Sequence, residues 1–163
     1  MIWLKAHRFA VVVVSAFALL VIGGAIAAYA FLSRDAGPVM KEFGPGEQRN
    51  WAEKLVAGLN TRDVAQVPVL RSGGESHARQ TAKNRTIESS MPEPGCRFEL
   101  VSTDDRGEQG RQPVPGSSSE NPSYRFDMVV DVNCPGEPTS AKTIGVIAVA
   151  EMGYWEPSYF VTD

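Results

Sequence analysis

Phe9 to Leu32 reads FAVVVVSAFALLVIGGAIAAYAFL, 24 residues without a charged side chain. Nothing else in the chain restricts the fold as strongly. A helix of that length reaches ~36 Å at about 1.5 Å per residue. The hydrocarbon core of a bilayer is about 30 Å thick, so such a helix spans it with some tilt. A helix buried in a globular core rarely stays uncharged beyond ~18 residues. The expected plan is a cytoplasmic tip (1–8), a transmembrane helix (9–32), a linker (33–46) and one extracytoplasmic domain (47–163).

The flanking charges set the expected orientation. Lys5, Arg8 and His7 precede the run; Arg34-Asp35 follows it, and the next base is Lys41. Basic residues favour the cytoplasmic side, which puts the N-terminus inside and the domain outside the cell membrane. Trp3 and Tyr29 suit the two membrane interfaces. The rival reading is a cleaved signal peptide, because Ala28-Tyr29-Ala30 resembles a small-x-small cleavage site. Signal cores are usually ~7–15 residues, so the length favours an uncleaved signal-anchor. Gly23-Gly24 is tolerated in membrane helices, where small residues allow close approach.

The remainder, Asp35 to Asp163, is 129 residues, enough for one modest core. With Lys5 and Arg8 set aside and Arg34 counted, 14 basic side chains face 19 acidic ones, so everything beyond the apolar run carries about −5. An acidic domain without a basic stripe is a poor nucleic-acid binder.

Gly37-Pro38 and Gly44-Pro45-Gly46 break the chain before the first element. Glu47–Leu59 has Trp51, Leu55 and Leu59 at i, i+4, i+8, with Ala52 and Val56 beside them, which predicts an amphipathic helix. Gly58 and Asn60 fit its termination. Asp63 caps a short turn over Val64–Val67 that stops before Pro68. Glu75–Ser90 is polar apart from Ala78, Ala82 and Ile87, and reads as a weak surface helix or an ordered loop.

From Cys96 the apolar period becomes two. Cys96, Phe98 and Leu100 share a face; so do Tyr124, Phe126, Met128, Val130, Val132 and Cys134, opposite Arg125, Asp127, Asp131 and Asn133. Thr143–Met152 is apolar on both faces and reads as a central strand. Trp155–Thr162 contains Pro157, which favours an edge. Between the first two strands, Asp105–Ser123 has three glycines, three prolines and one large apolar residue, Val114, and reads as a flexible hairpin tip. The expected fold class is α+β: a helix packed on a curved four-stranded antiparallel sheet behind a transmembrane helix.

This order, with the stretch Trp51-Ala52-Glu53-Lys54-Leu55-Val56-Ala57-Gly58-Leu59-Asn60-Thr61-Arg62-Asp63, resembles the opening helix and turn of NTF2-like (cystatin-like roll) domains. The resemblance covers about the last 115 residues. It implies a curved sheet wrapping a helix in a cone. Members tethered by one N-terminal span occur in bacterial cell envelopes, among them assembly components of type IV secretion and actinobacterial Mce-associated membrane proteins. Pro68 departs from the family pattern, which continues helical there.

The chain contains no Gly-rich phosphate loop, no His/Cys metal spacing and no Gly-x-Ser-x-Gly elbow. His77 lies in a polar segment without an identifiable partner and reads as a solvated histidine. Asp104-Asp105 reads as a solvated turn. Asn84-Arg85-Thr86 is a glycosylation sequon with meaning only in a eukaryotic secretory pathway. No metal, cofactor or enzyme activity is expected. The expected function is that of a non-catalytic accessory or assembly subunit acting through protein–protein contacts with an envelope partner or a second copy. The alternative is a binding module for a small apolar ligand inside the cone, which the bulky inner face (Phe98, Leu100, Phe126, Met128, with Trp51) disfavours.

Two site expectations follow from parity. If the first two strands pair about the middle of their loop, paired residue numbers sum to 230 and Cys96 meets Cys134, predicting a disulfide in an oxidising compartment. The same pairing sets Val101 opposite Val129. A second pairing summing to 276 or 278 sets Val129 opposite Ile147 or Val149. Val101, Val129, Ile147 and Val149 would then form an outward apolar stripe rimmed by Arg97, Glu99, Asp127, Asp131 and Glu151, a candidate interface.

Overall fold

The computed structural model describes residues 40–161. The expected cytoplasmic tip, the expected transmembrane helix and the expected linker up to Val39 lie outside the described residues. Among the described residues no helix is long and apolar enough to cross a membrane. The compact unit begins at Met40, seven residues before the domain start expected at Glu47, because Phe43 is buried in the core.

Helix α1 spans Pro45–Asn60. Pro45 fits the first turn, where a missing N–H costs no hydrogen bond. The apolar stripe Ala52, Leu55, Val56 and Leu59 is buried as the periodicity predicts, whereas Trp51 is only partly covered. Gln48 extends that stripe. It is buried, and its Nε2 donates to the Phe43 carbonyl at 2.7 Å. After α1 the chain reverses so tightly that a Cβ on Gly58 would lie 2.8 Å from the Val67 Cα. The turn Val64–Gln66 is a 3-10 helix, and the Asp63 carboxylate accepts from the Ala65 N–H as expected.

Helix α2 spans His77–Ser90 and starts at the N-cap Ser76, whose hydroxyl accepts from the Arg79 N–H. Of the two expectations for Glu75–Ser90, the helix is observed rather than the ordered loop, and it packs on the fold. Lys83, Ile87 and Ser90, at i, i+4, i+7, form its buried side. A lysine at the head of that stripe hides the amphipathic pattern.

The sheet is an antiparallel meander in the order β1-β2-β3-β4. Its strands are Arg97–Pro113 (β1), Glu120–Asn133 (β2), Ser140–Glu151 (β3) and Tyr154–Val161 (β4). β3 is central, and Ile144–Val149 is buried on both faces. β4 is an edge, as Pro157 predicts. That edge is covered: the Pro157 carbonyl accepts from the Leu70 N–H, and the Phe160 N–H donates to Thr86 Oγ1 on α2. Covering an edge removes unpaired groups that would otherwise template aggregation. β1 begins under similar protection. Asn60, at the end of α1, both donates to the Phe98 carbonyl (2.9 Å) and accepts from the Phe98 N–H (2.8 Å). Its carboxamide substitutes for one residue of a neighbouring strand.

The expected flexible tip is corrected by the structure. β1 runs through it to Pro113 and β2 starts at Glu120, leaving only a short turn. The ladder survives the glycines because it skips a register at Val101, Arg106 and Gln109. Gly107 (φ 76°) and Gly110 (φ 67°) follow two of these bulges in the left-handed conformation that glycine adopts without strain. Gln109 and Gln112 side chains donate to the carbonyls of Arg106, Gly107 and Gln109. Composition alone reads as disorder here; glycine placed at bulges does not.

The core lies on both faces of the sheet. On the inner face Phe98, Phe126, Met128, Val130, Ile144, Val146, Ala148, Trp155 and Phe160 pack with the α1 stripe and Ile87. On the outer face Val114, Ile147, Val149 and Tyr159 form a second cluster, flanked by Leu70 and Val161.

Candidate functional site

The expected β1–β2 pairing is observed at the disulfide end: Phe98 pairs Val132 and Leu100 pairs Val130, each summing to 230. One step further out, Cys96 and Cys134 bring their sulfurs to 2.05 Å, at bonding distance.

The expected apolar stripe is corrected. Val101 is the bulge residue, so Val129 sits opposite Ser102 instead. The β2–β3 pairs sum to 272, because β3 begins three residues early, at Ser140, in polar sequence. Val129 therefore faces Thr143, and Ile147 and Val149 face Arg125 and Ser123. Ile147 and Val149 are buried under Val114 at the hairpin tip and under Leu70, which makes them core. Val101 is 49% exposed and Val129 half-buried, so these two remain as surface.

Parity places Asp127 on the outer face, as expected, yet its side chain is buried there. Its Oδ2 accepts from Arg106 Nε at 2.7 Å and its Oδ1 from Arg125 Nε at 2.8 Å. Arg125 stands two residues away on the same strand face, a pairing legible in the sequence. Arg106 is not legible, because only the bulge turns it toward β2. Arg106, Gln109, Arg125 and Asp127 line a cleft of about 440 Å³. Both Asp127 oxygens are thus engaged by guanidinium groups, a charge-assisted arrangement that ties β1 to β2.

Asp104-Asp105 lies within β1 and not in a turn, contrary to expectation. The Tyr124 hydroxyl donates to both Asp105 oxygens, at 2.8 and 2.9 Å. Burial pushes the Tyr124 phenol up, and the Asp105 carboxylate pushes it further, to about 12. Burial acts to raise the Asp105 carboxyl, but hydrogen bonds from Tyr124 and the Gly107 N–H outweigh it and hold the group below its ordinary value. Tyr124 and Asp105 share with Phe43 and Trp155 a cleft of about 210 Å³ beside Met40 and Lys41.

Lys83 is buried with Glu75. Its Nζ donates to the Leu70 carbonyl and to Glu75 Oε1 at 3.2 Å. Burial lowers the Lys83 ammonium from its ordinary value, and Glu75 offsets this only in part. A nucleophilic lysine needs access to substrate; this one is walled in and fastens the 70–75 segment to α2. His77 is exposed at the start of α2. In the sequon, Thr86 is occupied at the contact of α2 with β4.

A third cleft, about 230 Å³, lies beside the cysteine pair between Met91, Phe98, Val132 and Lys142. None of the three clefts is lined by Leu55, Phe126, Met128 or Val130, the centre of the inner face. Among the described residues no group of three or more His, Cys, Asp or Glu side chains is placed to hold a metal ion. No family model matches the chain, and no curated protein or solved structure matches it either.

Proposed function

We propose that the chain is a single-pass membrane protein whose extracytoplasmic domain serves as an accessory or assembly subunit, working through protein–protein contacts in a cell envelope. The observation that carries this reading is the filled inner face. Phe126, Met128, Val130, Ile144 and Val146 are fully buried against α1 and α2, where an NTF2-like cone would hold a ligand. A ligand module needs empty volume of roughly 300 Å³ or more behind an apolar wall. The 440 Å³ cleft exceeds that size, but its wall is polar, made by Arg106, Gln109, Arg125 and Asp127. The helix-first order and the meander are in keeping with the NTF2-like resemblance.

Two features support the membrane-anchored, extracytoplasmic placement. One is the uncharged 24-residue run with its basic N-terminal flank. The other is a cysteine pair at bonding distance, which is stable in an oxidising compartment.

The surface offered for contact is the outer face near the disulfide end, where Val101 and Val129 are accessible. A photo-crosslinking side chain at position 101 or 129, in the native host, is expected to yield one discrete membrane adduct, a second copy or another envelope protein. Val129→Arg should abolish the adduct formed from position 101 without unfolding the domain. Adducts that persist in Val129→Arg place the contact elsewhere. Turnover of a small molecule lost in that variant would point to the enzyme reading instead.

A further inference from the structure

Three large apolar side chains are exposed among the described residues: Val101, Met152 (90%) and Tyr154 (52%). Two of the three sit on one turn, the tight connection between β3 and β4. Met152 occupies that turn at φ 48° and Gly153 at φ 86°. Both central positions of such a turn require positive φ and ordinarily take Asn, Asp or Gly. A methionine there is strained, and its side chain meets almost nothing in the domain.

The position of the turn narrows the choice. The chain enters the domain beside it: the Lys41 N–H donates to the Gly153 carbonyl at 2.8 Å, and Lys41 Nζ stands 5.5 Å over the Tyr154 ring. Eight residue steps separate Leu32, the end of the apolar run, from Met40. Fully extended, they reach at most ~29 Å at about 3.6 Å each. A globule of this size is roughly 35 Å across. If the apolar run is an anchor, a tether shorter than the domain keeps Met40 within ~29 Å of the bilayer surface.

We propose that the Met152–Tyr154 turn, with Lys41, is a lipid-contact surface that rests in the membrane interface next to the anchor. This rests on the membrane-anchored reading above. The side chains suit that layer. Met152 offers an apolar tip, Tyr154 an aromatic ring with a polar end, and Lys41 an aliphatic stem carrying a charge that can reach phosphates. Glu42 and Glu151 flank the turn, so the surface carries no net positive charge. Contact comes from apolar insertion, and a phosphatidylcholine bilayer suffices without anionic lipid. Docking there would hold the domain upright on its tether, with the disulfide end, at the far end of the antiparallel strands, pointing away from the membrane.

The test uses the full chain reconstituted in phosphatidylcholine vesicles. Met152→Cys is labelled with an environment-sensitive fluorophore, the native cysteines being paired. Glu137→Cys, in the β2–β3 turn at the opposite end of the sheet, is the reference. Emission from position 152 is expected to shift to the blue and to be quenched by doxyl-labelled lipid, unchanged by high salt; position 137 should show neither effect. Met152→Asn, which suits the turn conformation, should keep the domain folded while a label at position 154 loses its shift. Alkaline extraction separates the two readings. If the chain resists extraction but the label at 152 stays in water, the lipid contact is overturned and the anchor stands. If alkali extracts the chain, both are overturned. Equal shielding at 152 and 137 also overturns the proposal, because it shows no preferred orientation.

Discussion

Replacing both Cys96 and Cys134 with alanine removes a cross-link that joins positions 38 residues apart. The folded state should survive, because fourteen β1–β2 pairs remain to hold the two strands together. The main loss is on the unfolded side. For a loop of this length, chain entropy gives about 3.9 kcal/mol at 25 °C. Lost packing adds little, since both cysteines are half-exposed. A domain near this length unfolds with an entropy of roughly 0.26 kcal/mol/K, so the melting temperature should drop by about 15 °C. Urea unfolding of the full chain in mild detergent, followed by near-UV circular dichroism, measures the change. The denaturant slope should rise, because the uncrosslinked chain expands further on unfolding. Two reactive thiols in unfolded, unreduced wild-type protein would refute the cross-link. A loss below about 1 kcal/mol would refute the entropic argument while leaving the bond in place.

Asn60→Ala removes both hydrogen bonds to the Phe98 backbone and should cost about 1–3 kcal/mol, with the Phe98 amide losing protection in hydrogen exchange. Val149→Arg forces a charge among Val114, Ile147 and Tyr159 and should unfold the domain, whereas Val101→Arg should stay within about 0.5 kcal/mol of wild type; thermal melts of the two variants compare them directly. The raised Tyr124 phenol contributes stability that is complete below pH 10 and lost as pH climbs from 10 to about 12. Lys83, lowered from its ordinary value, acts in the opposite sense just below pH 10.5. Tyr124→Phe should therefore flatten the loss above pH 10, and pH-dependent melts of the two proteins that superimpose would exclude the Tyr124–Asp105 bond as its source.

Local patterns in the sequence carried much of the fold. The α1 stripe, the Asp63 cap, the four strands in meander order, Pro157 at an edge and the Cys96–Cys134 juxtaposition all depend on neighbours along the chain or on side-chain parity, which are readable without coordinates. The apolar run from Phe9 to Leu32 belongs with them, since its length and lack of charge are properties of the sequence itself. What parity could not supply was the place where the register breaks. The bulges at Val101, Arg106 and Gln109 change which residue meets which beyond Leu100, and β3 begins in polar sequence at Ser140. The shifts broke the expected stripe apart and turned Arg106 onto Asp127, while Val114 and Leu70, distant in the chain, covered Ile147 and Val149 as a second core. Lys83 was equally opaque: its four-carbon stem is as buried as a leucine's once Glu75 and the Leu70 carbonyl receive the charge, and those partners come together only when the chain folds. Most elements and their faces were legible along the chain, because they follow from periods of 2 and 3.6 residues. Register and the partners of buried polar groups emerged with the folded domain, because both depend on residues distant in the chain settling their hydrogen bonds at the same time.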